Sequence, residues 1–146
     1  MTMEKQVNIA GYLDSTYLKT SAEAGVSEIE TKEIVINAIK EAIDAKFACI
    51  MIRSEFIAIA KELIEKSKSK LKIGTVVDFP FGNSTTEQKI IEAKSAIESG
   101  AYDIDYVCDY NAFKRGAFAK FDSDILEGTK IVLGNKKIVK WIIETG

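Results

Sequence analysis

The sequence predicts an α/β fold, a partial TIM (β/α)₈ barrel of about five parallel strand–helix units. Three observations carry this. Short apolar runs alternate with helical patterns along the 146 residues, and strands separated by helices imply βαβ crossovers and a parallel sheet. Runs such as Ala48–Ile52 are apolar without alternation, as strands covered on both faces require. Acids recur at or near the expected C-terminal strand ends, at Asp14, Asp78 and Asp105, where barrel enzymes place their chemistry. An open doubly wound sheet also binds ligands at that edge, but the first βα turn has no G-x-G-x-x-G. A complete barrel takes ~250 residues, so this chain holds five units of eight, read as a single domain over residues 1–146.

The elements follow in order. Ile9–Asp14 reads as a short strand ending in an acid. Glu30–Lys46 reads as a helix with Ile34, Ile39, Ala42 and Ile43 on one stripe. Ala48–Ile52 is a buried strand. Ser54 is placed to N-cap a second helix whose inner face is Ile57, Ala60, Leu63 and Ile64. Lys72–Asp78 is the third strand, and Thr85–Ser99 the third helix, stopped by Gly100. Asp103–Val107 is the fourth strand. A less regular helical stretch, Asn111–Leu133, leads to a fifth strand at Val139–Thr145.

Composition excludes several function classes. The 20 basic and 22 acidic residues nearly balance, so no basic patch marks a nucleic-acid partner. No run of 18 apolar residues predicts a membrane span, and Met1–Gln6 lacks the apolar core of a signal peptide. Cys49 and Cys108 are far apart and read as reduced thiols in a cytoplasmic protein. Histidine is absent, which removes the commonest general base and metal ligand. Proton chemistry then falls to Asp, Glu, Lys, Tyr or water, and no metal-ligand spacing is present.

Lys140 is the first candidate for chemistry, a lysine inside the apolar run Val139–Ile143. Strand alternation puts Lys140, Ile142 and Glu144 on one face. Burial would lower its pKa and make it a base or an amine nucleophile; alternatively it snorkels to the far end of the barrel. Asp103 and Asp105 share a face, so at least one points into the barrel. A buried carboxylate needs a partner, and Asp105 with Lys140 is the natural pair on adjacent strands, as a site or as a structural ion pair. The stretch Phe81–Gln88 could offer N–H groups to a phosphate, or form a capping box through Ser84 and Glu87 or Thr85 and Gln88. Asp14, Ser15 and Thr16 could contact a hydroxylated substrate or cap a turn. Cys49 and Cys108, with no histidine to activate them, read as small hydrophobes.

Four ordered motifs carry a resemblance. Tyr12-Leu13-Asp14-Ser15-Thr16-Tyr17-Leu18-Lys19, Gly74-Thr75-Val76-Val77-Asp78-Phe79-Pro80-Phe81-Gly82-Asn83, Gly100-Ala101-Tyr102-Asp103-Ile104-Asp105 and Lys140-Trp141-Ile142-Ile143-Glu144-Thr145-Gly146 resemble deoxyribose-phosphate aldolase, from about Ile9 to the last residue. The resemblance implies a class I aldolase that forms a lysine Schiff base and uses no metal or other cofactor. Its substrates would be a small phosphorylated sugar and an aldehyde: 2-deoxyribose 5-phosphate is cleaved reversibly to glyceraldehyde 3-phosphate and acetaldehyde in deoxynucleotide catabolism. By motif, Asp105 resembles the catalytic aspartate that shuttles protons through a water. Lys140 resembles the strand-five lysine beside it. Asp14, Thr16 and Cys49 resemble cavity-lining, substrate-binding positions. Ser15 stands where many members have histidine, and Ile52 where many have proline.

In that family the Schiff-base lysine lies in a Lys-Thr-Ser-Thr-Gly stretch on the sixth strand, a second active-site lysine on the seventh, and glycine-rich phosphate loops later still. The 146 residues correspond to five units and stop short of these. Lys19-Thr20-Ser21 mimics the lysine motif but belongs to the loop after the first strand. The expectation is therefore a C-terminally truncated chain, inactive alone, whose open sheet edges favour a homo-oligomer. Rival readings are another Schiff-base barrel aldolase such as a transaldolase, against which the ordered motifs argue, and a non-catalytic half-barrel working by association.

Overall fold

A computed structural model describes residues 7–145. Five strands, β1 (Asp14–Tyr17), β2 (Cys49–Ile52), β3 (Lys72–Val77), β4 (Asp103–Val107) and β5 (Ile138–Ile142), form one sheet in the order β1-β2-β3-β4-β5. Every neighbouring pair is parallel. The connections are helical: α1 (Ser21–Ala24) and α2 (Glu28–Asp44), α3 (Ile57–Ser67), α4 (Thr86–Ser99), and α5 (Tyr110–Lys114) with α6 (Phe118–Gly134). The fold is α/β with a partial barrel, as the alternating pattern predicts.

Helix starts follow local chemistry. Thr20, Ser27 and Thr85 each accept from the backbone N–H three residues on, while Glu23, Glu30 and Gln88 reach back to the cap's own N–H. Each capping box satisfies two otherwise orphaned donors. The core lies between the helices and one sheet face. Ile50, Ile52, Ile73, Val77, Ile104 and Tyr106 meet Val35, Ile39, Ala42, Ile57, Ala60, Ala93, Ala96 and Val132. Trp141 stacks on Tyr106 with centroids 4.4 Å apart and donates to Thr129 Oγ1 at 3.0 Å. Gly128 is required beneath them, because a Cβ there would lie 2.9 Å from the indole.

Several boundaries differ from expectation. Ile9–Tyr12 is a 3₁₀ turn, not a strand, because the Asn8 side chain accepts from Ala10 N–H and Leu13 N–H bonds back to Ala10; β1 begins at Asp14. The helix expected at Glu30–Lys46 is α2, which starts two residues earlier, at Glu28 behind the Ser27 cap; its buried stripe is Thr31, Val35, Ile39 and Ala42, leaving Ile34 exposed. Ser54 opens a 3₁₀ turn rather than capping α3. Residues 111–133 split into two helices at Gly116, whose φ of 78° breaks the helix.

Candidate active site

Alternation along each strand divides the sheet into two faces. The register aligns Asp14 with Cys49, Gly74 with Asp103, and Asp105 with Lys140. Asp14, Thr16, Cys49, Met51, Gly74, Val76, Asp103, Asp105, Val107, Lys140 and Ile142 therefore occupy the face turned away from the helices. Gly74 makes room for this set: a Cβ there would sit 2.5 Å from Met51 Cε, 2.9 Å from Cys49 Sγ and 3.2 Å from Asp103 Cβ.

Lys140 organises the inward face. Its Nζ lies 3.0 Å from Asp14 Oδ2, 3.3 Å from Asp105 Oδ1 and 3.4 Å from Asp103 Oδ2. Both aspartates of β4 point inward, and the β4–β5 pair forms as alternation requires. The contact with Asp14 is less legible in sequence. It joins the two edge strands across the sheet, so the sheet curls far enough to bring its edges face to face. Asp14 opens β1 rather than ending it. Three carboxylates and one ammonium leave an acidic excess.

Electrostatics reverse one expectation. Burial alone would lower the Lys140 pKa, but the hydrogen bond it donates to Asp14 and the charges of Asp105, Asp14 and Asp103 outweigh it and hold the ammonium well above its ordinary range. Lys140 is a fixed cation rather than a free amine. Asp105 and Asp103 are pushed up, chiefly by burial, with Lys140 offsetting part of the effect. Asp105 Oδ1 is buried and makes no hydrogen bond of good geometry. Burial also pushes the Cys49 thiol up, so it is not a nucleophile. Asp14, Cys49 and Asp103 place one potential ligand atom each within 4.8 Å of one another, a grouping absent from sequence spacing; the cation this group faces is Lys140. Thr16 is exposed on the inward face and lines a shallow groove with Tyr17, Lys19 and Phe79, apart from Lys140.

Asp78 does not join this site. Its carboxylate accepts from Ser84 N–H at 2.8 Å and Ser84 Oγ at 2.7 Å and lies 3.6 Å from Lys89. Ser84 is thus engaged by Asp78, and the capping box belongs to Thr85 and Gln88. Val77 packs on the helices, and Val76, level with Asp105, faces inward.

Sequence reasoning passed over a second ionic cluster at the C-terminal edge. Lys89 is 1 % exposed, and its Nζ donates to Gly82 O and Val107 O at 2.9 Å each. Asp124 Oδ2 is 2.9 Å away. Asp124 also accepts from Thr86 Oγ1 and from Lys120, whose Nζ is 2.6 Å from it and 3.4 Å from Asp109. Burial alone would raise the Asp124 carboxyl, but hydrogen bonds from Lys120, Thr86 and Lys89 hold it below its ordinary value. A signal existed: Lys89 shares the buried stripe of α4 with Ala93 and Ala96, and Asp124 that of α6 with Gly128 and Val132.

Comparison with known proteins agrees with the fold and the motifs. A profile described as DeoC/LacD family aldolase matches residues 14–124. A deoxyribose-phosphate aldolase of Thermococcus gammatolerans is 35% identical over 139 residues, covering 95% of this chain and 58% of that protein. A structure described as a deoxyribose-phosphate aldolase of Coccidioides immitis superposes with a TM-score of 0.78 at 26% identity, over 97% of this chain and 51% of the other. A tetrameric deoxyribose phosphate aldolase of Aeropyrum pernix gives a TM-score of 0.62 at 28% identity, over 93% and 52%. The chain spans little more than half the length of these relatives. On the profile match, the ordered motifs and the shared half-barrel, the chain belongs to the DeoC/LacD aldolase family.

Proposed function

We propose that these residues form the acid-and-lysine half of a class I aldolase site. Its reaction would be the reversible cleavage of 2-deoxyribose 5-phosphate to glyceraldehyde 3-phosphate and acetaldehyde, in deoxynucleotide catabolism in the cytoplasm. The observation that carries this is the Lys140 ammonium held at 3.0–3.4 Å by three carboxylates on the inward face. Asp105 is the proton carrier. Its carboxyl, raised by burial, can hold and release a proton through a water at the aldehyde carbon, as general acid–base catalysis needs. Lys140, fixed as an ammonium, pairs with Asp14 and Asp103 and orients Asp105; it is not the Schiff-base amine. Asp14 and Cys49 line the bore for a small hydroxylated substrate, and Thr16 extends the same face into the adjoining groove. The amine nucleophile is expected on a sixth strand, beyond the five that these residues form.

Two experiments test this reading. The 146-residue chain, given acetaldehyde and then borohydride, should show no adduct by mass spectrometry. Stoichiometric trapping on Lys140 with turnover of deoxyribose 5-phosphate would overturn its role as a fixed cation. A chimera joining this chain to the remaining part of the Thermococcus gammatolerans protein should cleave deoxyribose 5-phosphate, and Asp105→Asn should lower that rate by roughly 10²–10⁴-fold, the range for a positioned acid–base group. Unchanged activity in the variant would remove Asp105 from the chemistry.

A second reading, association, has its own observation. Among the described residues β1 pairs only with β2, and β5 only with β4. Ile138 and Ile143 stand exposed at the β5 edge. Unpaired strand edges with apolar flanks template pairing. Light scattering at micromolar concentration should give a homo-oligomer; a monomer that unfolds cooperatively would refute this.

A further inference from the structure

We propose that Lys89 is a positioning residue, whose ammonium pins the 78–84 loop across the end of β4 and so walls Asp105 off from water on the catalytic side. This rests on the reading of Asp105 as the proton carrier, and deepens it. Along β4 the inward positions run Asp103, Asp105, Val107. Val107 is the step beyond Asp105 toward the C-terminal edge, and it is fully buried. What covers it is the loop: a Cβ on Gly82 would lie 2.8 Å from Val107 Cγ1 and 2.3 Å from Cys108 O. Only a glycine, here at φ +68°, lets the two backbones approach so closely. Lys89 bonds both partners of that approach at once, through Gly82 O and Val107 O. Asp78 braces the same loop internally through Ser84. With the ammonium removed, two buried carbonyls would lose their donor and the loop its hold on β4. Water would then reach the buried Asp105 Oδ1, and the carboxylate would be better solvated.

The readout is the titration of Asp105 in the folded 146-residue chain, followed by carboxyl carbon NMR, which needs no aldolase activity. Asp105 is faced by Lys140, Asp103 and Asp14, none of which is altered. The double variant Lys89→Met/Asp124→Asn avoids leaving an unpaired buried charge, and Gly82→Ala lifts the loop while keeping Lys89. Both should move the Asp105 midpoint downward. Thr86→Val touches Asp124 but neither carbonyl, and should leave the midpoint in place even if it lowers stability. An unmoved midpoint in both loop-lifting variants, or an equal shift in Thr86→Val, would overturn the proposal. If neither loop-lifting variant folds, the wild-type chain decides: the Lys89 ammonium protons should exchange with water far more slowly than those of exposed lysines, and exchange as fast as theirs would refute the pin. A chimera lacking aldolase activity would refute the functional reading and leave this result standing.

Discussion

Two lysines at the heart of two ionic clusters show how the same residue type serves opposite ends. Lys89 is buried and satisfied by two carbonyls and the Asp124 carboxylate. Lys140 is 39% exposed in its side chain and faces three carboxylates. Around Lys89 hydrogen bonds outweigh burial, and Asp124 is held below its ordinary value. Around Lys140 burial outweighs the lysine, and Asp103 and Asp105 are pushed above theirs. A cluster built for stability pairs its charges; one suited to moving protons leaves carboxyls short of partners.

The contrast is sharpest in Lys89→Met. Removing the ammonium leaves Asp124 with Lys120 as its one ammonium partner and strips two buried carbonyls of their donor, and should cost about 3–5 kcal/mol, read as a lowered urea midpoint. Thr86→Val removes one hydrogen bond to the same carboxylate and should cost roughly 1.5–3 kcal/mol. At the other cluster Lys140→Met should cost about 1 kcal/mol or less, since the pair is partly solvated, yet it should move the Asp103 and Asp105 titrations further upward. Were Lys140→Met the more destabilising of the two lysine variants, the division into structural and functional clusters would fail.

Asp105→Asn should produce the smallest change in stability and the opposite sign. A carboxyl whose folded pKa is raised contributes stability present below its unfolded value, near 3.8, and lost as pH rises through the folded value. The Asn variant should therefore match the wild type near pH 3.8 and become relatively more stable at neutral pH. Asp124, held low, works the other way: its contribution is present above 3.8 and lost as pH falls through its folded value. Paired denaturation curves across pH would show the two windows on opposite sides of 3.8, and a single shared window would break the comparison.

The alternation of strands and helices was legible because burial repeats with a period of two in strands and 3.6 in helices. Lys140 and Asp105 were legible for the same reason: they are charges inside apolar strands, and they pair directly across β4 and β5. Ile9–Tyr12 was misread because its apolar residues mimic a strand while Asn8 supplies a turn that hydropathy does not record. Lys89 was missed because a lysine on a helix reads as solvated unless its place on the buried stripe, here with Ala93 and Ala96, is followed.

The sequence by itself determined the units, their order, the inward face of β4 and β5, and the family, since these depend on local periodicity and ordered motifs. The tertiary structure alone decided which charges meet. Curling brought Asp14 of β1 to Lys140 of β5, 126 positions apart, and so made a fixed ammonium of a residue that the sequence left open as a low-pKa amine. The 78–84 loop, laid over β4, buried Val107 and gave Lys89 its two carbonyls. Coulombic and desolvation effects depend on distance in space, which no spacing along the chain encodes.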